Sequence, residues 1–142
     1  MADYPAYLAR LRSGDPEANP FLTFLEIALE ETGEGYARFR MPVKAQYLQG
    51  AGFLQGGLLV AMADEAIAHA MMTLLTPGEG LATVELKSNF LGAVKEGHLI
   101  AEARVFKKGR TLLVGDALVR DADGRDVCRT TATFLLLRKK EV

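Results

Sequence analysis

The chain has 142 residues, a length that suits one domain with one core. With 49% hydrophobic and 25% charged residues, its composition is that of an ordinary globular protein. A formal net charge of −1 argues against a dedicated nucleic-acid binder, which carries a basic excess, but allows a local cationic patch.

Asp3, Arg10, Arg12 and Asp15 interrupt the first stretch of chain, where a signal peptide would need a basic start and an apolar core. The cytoplasm is therefore the expected compartment. Residues 3–11 predict a short amphipathic helix: Asp3 can cap it, Pro5 sits in its first turn, and Tyr4, Tyr7, Leu8 and Leu11 form one stripe. Ser13-Gly14-Asp15-Pro16 breaks the pattern, and Asn19-Pro20 marks a second turn. Residues 1–20 thus read as an N-terminal helix and linker within a single domain spanning 1–142. Two strands, 24–31 and 35–41, are predicted to pair as a hairpin around Thr32-Gly33-Glu34.

Residues 46–52 look like a loop, followed by the longest apolar stretch, 53–75. Its alanines and leucines predict a helix beginning near Gly56, apolar almost all round and hence central and buried. Asp64, Glu65 and His69 across its middle argue against a membrane span. Four strands follow, at 81–91, 98–106, 111–121 and 126–137, with short turns that favour antiparallel neighbours. The expected layout is a helix, a hairpin, a long buried helix and a four-stranded meander, with one sheet covering the central helix.

The chemistry concentrates on that helix. Gly56 and Gly57 at its start would expose unpaired backbone N–H groups, suited to an oxyanion, or would allow close helix–sheet packing. Asp64 has Val60, Ala61, Ala63, Ile67 and Ala68 around it, where an ionised carboxylate costs several kcal/mol unless paired or hydrated. It either faces a wet groove or has a functional role. Glu65 and His69 stand one turn apart and can pair, with His69 read as a structural or rim residue. The single cysteine, Cys128, permits no internal disulfide, and with only His69 and His98 beside it no metal site and no cofactor are expected. Eight residues separate Gly56 from Asp64, about 12 Å along a helix, too far to share one carbonyl. If both act on one substrate, a second subunit must supply one of them.

Gly33-Glu34-Gly35 ahead of Arg40-Met41-Pro42-Val43, the glycine pair and carboxylate of the helix, and the turns Gly109-Arg110 and Asp123-Gly124 together resemble the hotdog-fold thioesterases. The phenylacetate-pathway and related acyl-CoA thioesterases are the similar group, over the span from about residue 19 to the last strand. The resemblance implies an α+β hotdog fold, an antiparallel sheet wrapped around a long central helix, and hydrolysis of acyl-CoA. In this group a His-Gly-Gly opens the helix, and the first glycine N–H polarises the thioester carbonyl. An Asp or Glu eight residues later, from the partner subunit, is nucleophile or general base. Gly56 and Asp64 match these positions, Gln49 matches a substrate- or water-positioning Asn/Gln, and Thr83 matches a Ser/Thr that assists the carboxylate. The usual His is Gln55, which hydrogen-bonds but carries no imidazolium charge.

Gln55 and Gly57 join the expected substrate-binding set. Phe53, Leu54, Leu58 and Met62 are candidates for an acyl pocket, or else core. Lys107, Lys108 and Arg110, clustered at one turn, are candidate contacts for the CoA phosphates, with Lys87 and Lys95 less favoured; solvated surface is the alternative. The expected assembly is a homodimer, possibly a homotetramer, with no nucleic-acid or membrane partner. Two other activities fit the same fold: a non-catalytic acyl-CoA-binding domain, encouraged by Gln55, and an enoyl-CoA hydratase or dehydratase. The latter would need a catalytic His that neither Gly56 nor Asp64 has at a suggestive spacing.

Overall fold

The computed structural model describes residues 3–139. Helix α1 (Tyr4–Arg12) is capped by Asp3, whose carboxylate accepts from the Ala6 N–H at 3.2 Å, and it sinks Leu8 into the core. Asn19-Pro20 opens a second helix rather than a plain turn. In α2 (Pro20–Phe24) the Asn19 Oδ1 accepts from the Leu22 N–H at 3.1 Å, and Pro20 fits the first helical position. The strand expected from residue 24 therefore starts later, after Glu26 at a φ of 54° has turned the chain. Strand β1 (Ala28–Gly33) pairs with β2 (Tyr36–Pro42) in the expected hairpin.

After a 3-10 turn at Ala45–Tyr47 comes α3 (Gly56–Met72), then β3 (Glu79–Phe90), β4 (His98–Lys108), β5 (Leu112–Arg120) and β6 (Asp126–Arg138). All neighbours in the six-stranded sheet are antiparallel, in the order β1-β2-β4-β5-β6-β3. The expected four-stranded meander is thus only three strands long. β3 lies beside β6 at the far edge, and the turn at Lys95-Glu96-Gly97 joins strands that do not pair. Its connection passes the start of α3, where the Leu54 N–H donates to Val94 O at 2.7 Å and the Gln55 N–H to Tyr47 O at 3.0 Å. Those bonds fix where the helix begins.

The sheet curves around α3 in the hotdog arrangement. Leu59, Met62, Ala63, Ala66, Ile67, Ala70 and Met71 face it and are buried. Opposite them, Ala101, Ala103, Gly115 and Ala117 form a floor of small side chains on β4 and β5. A Cβ on Gly115 would stand 2.8 Å from the Arg104 carbonyl and 3.3 Å from Ile67, so this glycine is what lets helix and sheet approach. The described residues do not cover the helix all round. Ala61, Asp64, Glu65, Ala68 and Met72 form a half-exposed stripe along it. No helix among the described residues is long and apolar enough to cross a membrane.

Candidate active site

Two separate regions of α3 carry the residues singled out from the sequence. At its start, Gln55 is the N-cap, its Oε1 accepting from the Gly57 N–H at 3.5 Å. Gly56 is the first helical residue, so its N–H has no carbonyl in the preceding turn to bond. The Phe90 ring from the end of β3 lies over it, and a Cβ at this position would meet the ring at 3.1 Å. Packing is therefore one reason for glycine at residue 56, whatever its N–H does. Gln49 folds back on its own loop, accepting from the Ala51 N–H. Phe53 lies under the Lys95 ammonium, 4.8 Å from the ring centre, while Leu54 and Met62 are core. Leu58 is partly buried against that core.

Two turns further along, Asp64 faces a cavity of about 370 Å³. Thr83 Oγ1 donates to its Oδ1 at 3.4 Å, reaching from an edge strand whose register shifts between Thr83 and Glu85. Burial raises the Asp64 carboxyl above its ordinary range, and the Thr83 hydrogen bond partly opposes this. Asp64 and Thr83 are predicted site residues from different elements that this chain brings into contact. Gly56, Gln55 and Gln49 stay at the other end of the helix.

Around Asp64 lies a set of polar groups that sequence reasoning only touched. Glu65 lines the same cavity, and burial together with the neighbouring Asp64 charge pushes its carboxyl up to about 7, with Asn19 pulling the other way. His69 is fully buried and pushed down to about 4 by that burial, so it is neutral at pH 7. Its Nδ1 donates to the Glu65 carbonyl at 2.6 Å, and its Nε2 accepts from the Tyr7 hydroxyl at 2.7 Å. Asn19 Nδ2 in turn donates to the Tyr7 oxygen at 3.0 Å. Tyr7 had a place on the α1 stripe and Asn19 a place in a turn; nothing local in the sequence marks either as part of a site.

The basic cluster lies elsewhere. Lys108 donates to the Leu74 carbonyl just past the C-terminal end of α3 and approaches Glu79 at 3.9 Å. Lys107 and Arg110 are exposed at the same turn, at the opposite end of the helix from Gly56. Among the described residues, no cluster of three His, Cys, Asp or Glu side chains is arranged to hold a metal ion.

A family model described as the thioesterase superfamily matches residues 51–128. A solved thioesterase family protein from Silicibacter pomeroyi superposes with a TM-score of 0.83 at 30% identity, over 93% of this chain and 98% of that one. A thioesterase from Haemophilus influenzae gives 0.80 at 26% identity, over 85% of each chain. A protein of Saccharolobus solfataricus whose name proposes an esterase is 31% identical over 116 residues, covering 82% of this chain and 77% of that protein.

Proposed function

The chain belongs to the thioesterase superfamily, and from that premise we propose that it hydrolyses acyl-CoA thioesters to a free acid and CoA. Asp64 is the attacking group or the general base, and the partner subunit's helix start supplies the oxyanion donor, the N–H at residue 56. The observation that carries this is the Asp64 carboxylate itself: half-buried, raised in basicity, hydrogen-bonded to Thr83 and open to a cavity. A carboxylate of raised pKa is a better proton acceptor than a free one, which is what activation of a water requires.

The developing negative charge on the carbonyl oxygen needs donors, and a helix N-terminus offers them with a favourable dipole. Asp64 and Gly56 lie on one helix about 12 Å apart, so the two halves of the chemistry meet only across two chains packed with α3 antiparallel. The half-exposed stripe through Asp64 is the surface that such a partner would cover. The dimer, a further pairing to a tetramer, the CoA contacts at Lys107 and Arg110, and a cytoplasmic setting belong to this proposal.

Supplying a panel of acyl-CoAs and following free thiol tests it. Asp64→Ala should lower turnover by about a hundredfold or more while leaving fold and assembly intact. Undiminished turnover would remove Asp64 from the mechanism. Gln55 supports a second reading, a domain that binds acyl-CoA without cleaving it. Its side chain caps its own helix, and it brings no imidazole to the site. Saturable binding by the wild type with no thiol release would favour that reading.

A further inference from the structure

The N-terminal segment lies outside the span that the superfamily model matches, yet it builds one side of the cavity beside Asp64. Tyr4, Tyr7 and Asn19 line it there. Tyr7 is held at both ends. Its hydroxyl accepts from Asn19 at 3.0 Å and donates to the buried His69 at 2.7 Å. Its ring meets Tyr4 edge-on, with centroids 6.4 Å apart, and stands 5.6 Å from the His69 ring. A side chain fixed in this way is a rigid wall, not a flap.

The position of that wall matters. His69 is five residues beyond Asp64, about 7.5 Å along the helix axis, and Met72 lines the same cavity one turn later. Tyr7, bonded to His69, therefore stands toward the C-terminal end of α3 from Asp64, in the path of an acyl group that runs that way.

We propose that Tyr7, with Tyr4 packed against it, is the specificity-determining wall of the acyl pocket, admitting compact acyl groups and excluding long alkyl chains. This goes beyond the assignment of Asp64 and rests on that carboxylate acting at a thioester. Tyr7 touches neither reacting atom by this account; it sets how much acyl group can extend past them.

The test compares wild type, Tyr7→Ala, Tyr7→Phe and Tyr4→Ala on butanoyl-, octanoyl-, dodecanoyl- and hexadecanoyl-CoA, reading kcat/KM from thiol release. Wild type should fall off with chain length. Tyr7→Ala should raise the dodecanoyl-to-butanoyl ratio of kcat/KM by at least about tenfold. Tyr7→Phe keeps the ring and should keep the wild-type order. Tyr4→Ala leaves the His69 bond intact, so it remains informative where Tyr7→Ala fails to fold, and should shift the ratio in the same direction. An unchanged length profile in a folded Tyr7→Ala or Tyr4→Ala protein would overturn the wall. If no protein releases thiol from any substrate, the hydrolysis assignment fails by itself, and calorimetric binding of the same four thioesters decides the wall. Tighter hexadecanoyl-CoA binding by the alanine variants than by wild type then supports it, and an unshifted order of affinities overturns it.

Discussion

Glu65 and His69 stand one helical turn apart, and burial moves their titrations in opposite senses: the carboxyl from 4.5 up to about 7, the imidazole from 6.5 down to about 4. As pH rises from 4.5 to 7, the unfolded chain has released the Glu65 proton while the folded chain still holds it, so this group's contribution to stability declines. As pH rises from 4 to 6.5, the unfolded chain gives up a His69 proton that the folded chain never bound, so stability increases. The two slopes oppose each other over the shared window, with Asp64 acting in the same sense as Glu65. Glu65→Gln removes one of them. Its Tm relative to wild type should be higher at about pH 8 than at about pH 5; a difference independent of pH would mean that the Glu65 carboxyl titrates normally. Asp64 was legible in the sequence because a carboxylate among Val60, Ala61, Ala63, Ile67 and Ala68 has no ordinary packing explanation. Tyr7 was not, because an apolar stripe accounts fully for a tyrosine on α1, and its partner His69 is 62 residues away.

Among the elements, the close approach of α3 to the sheet depends on the small-residue floor of β4 and β5. Gly115→Ala places a methyl group against the Arg104 backbone, which cannot rotate away as a side chain would. The expected cost is about 1–3 kcal/mol, seen as a lower midpoint in denaturant melts, from overpacking. A melt that matches wild type would show that the strands shift freely at that point. The strands themselves were readable from alternation and turn residues, as was the helix starting at Gly56. Their order was not. Tight turns at Gly109 and Gly124 join true neighbours, whereas residues 91–97 are long enough to cross from the sheet edge to β4, and no local pattern distinguishes the two cases. Likewise, Pro20 suits a turn or a helix start equally well; the Asn19 cap decides between them.

For the molecule as a whole, one edge and one stripe are left open together. β3 ends the sheet with Ala82, Thr83, Val84 and Glu85 all exposed, Val84 at 57%, and Asp64 on the α3 stripe lines one cavity with Thr83. An unpaired edge strand is a template for another copy. If the proposed dimer pairs through this edge, Val84→Asp should shift the protein toward monomer in light scattering and reduce thiol release in step with that shift. A fully active monomer would mean that one chain completes the site by itself.

The bonds that tie α1 to α3 also have a direction. A carbonyl can only accept, so the Glu65 oxygen holds the His69 hydrogen on Nδ1 and leaves Nε2 as an acceptor facing α1. Tyr7 must then spend its own hydrogen on that nitrogen and receive one from Asn19. The tautomer of a buried ring is therefore set by the backbone of its own helix, and one lone pair is left to receive the N-terminal segment. Leu8 gives α1 its depth in the molecule, and that lone pair gives it its rotation.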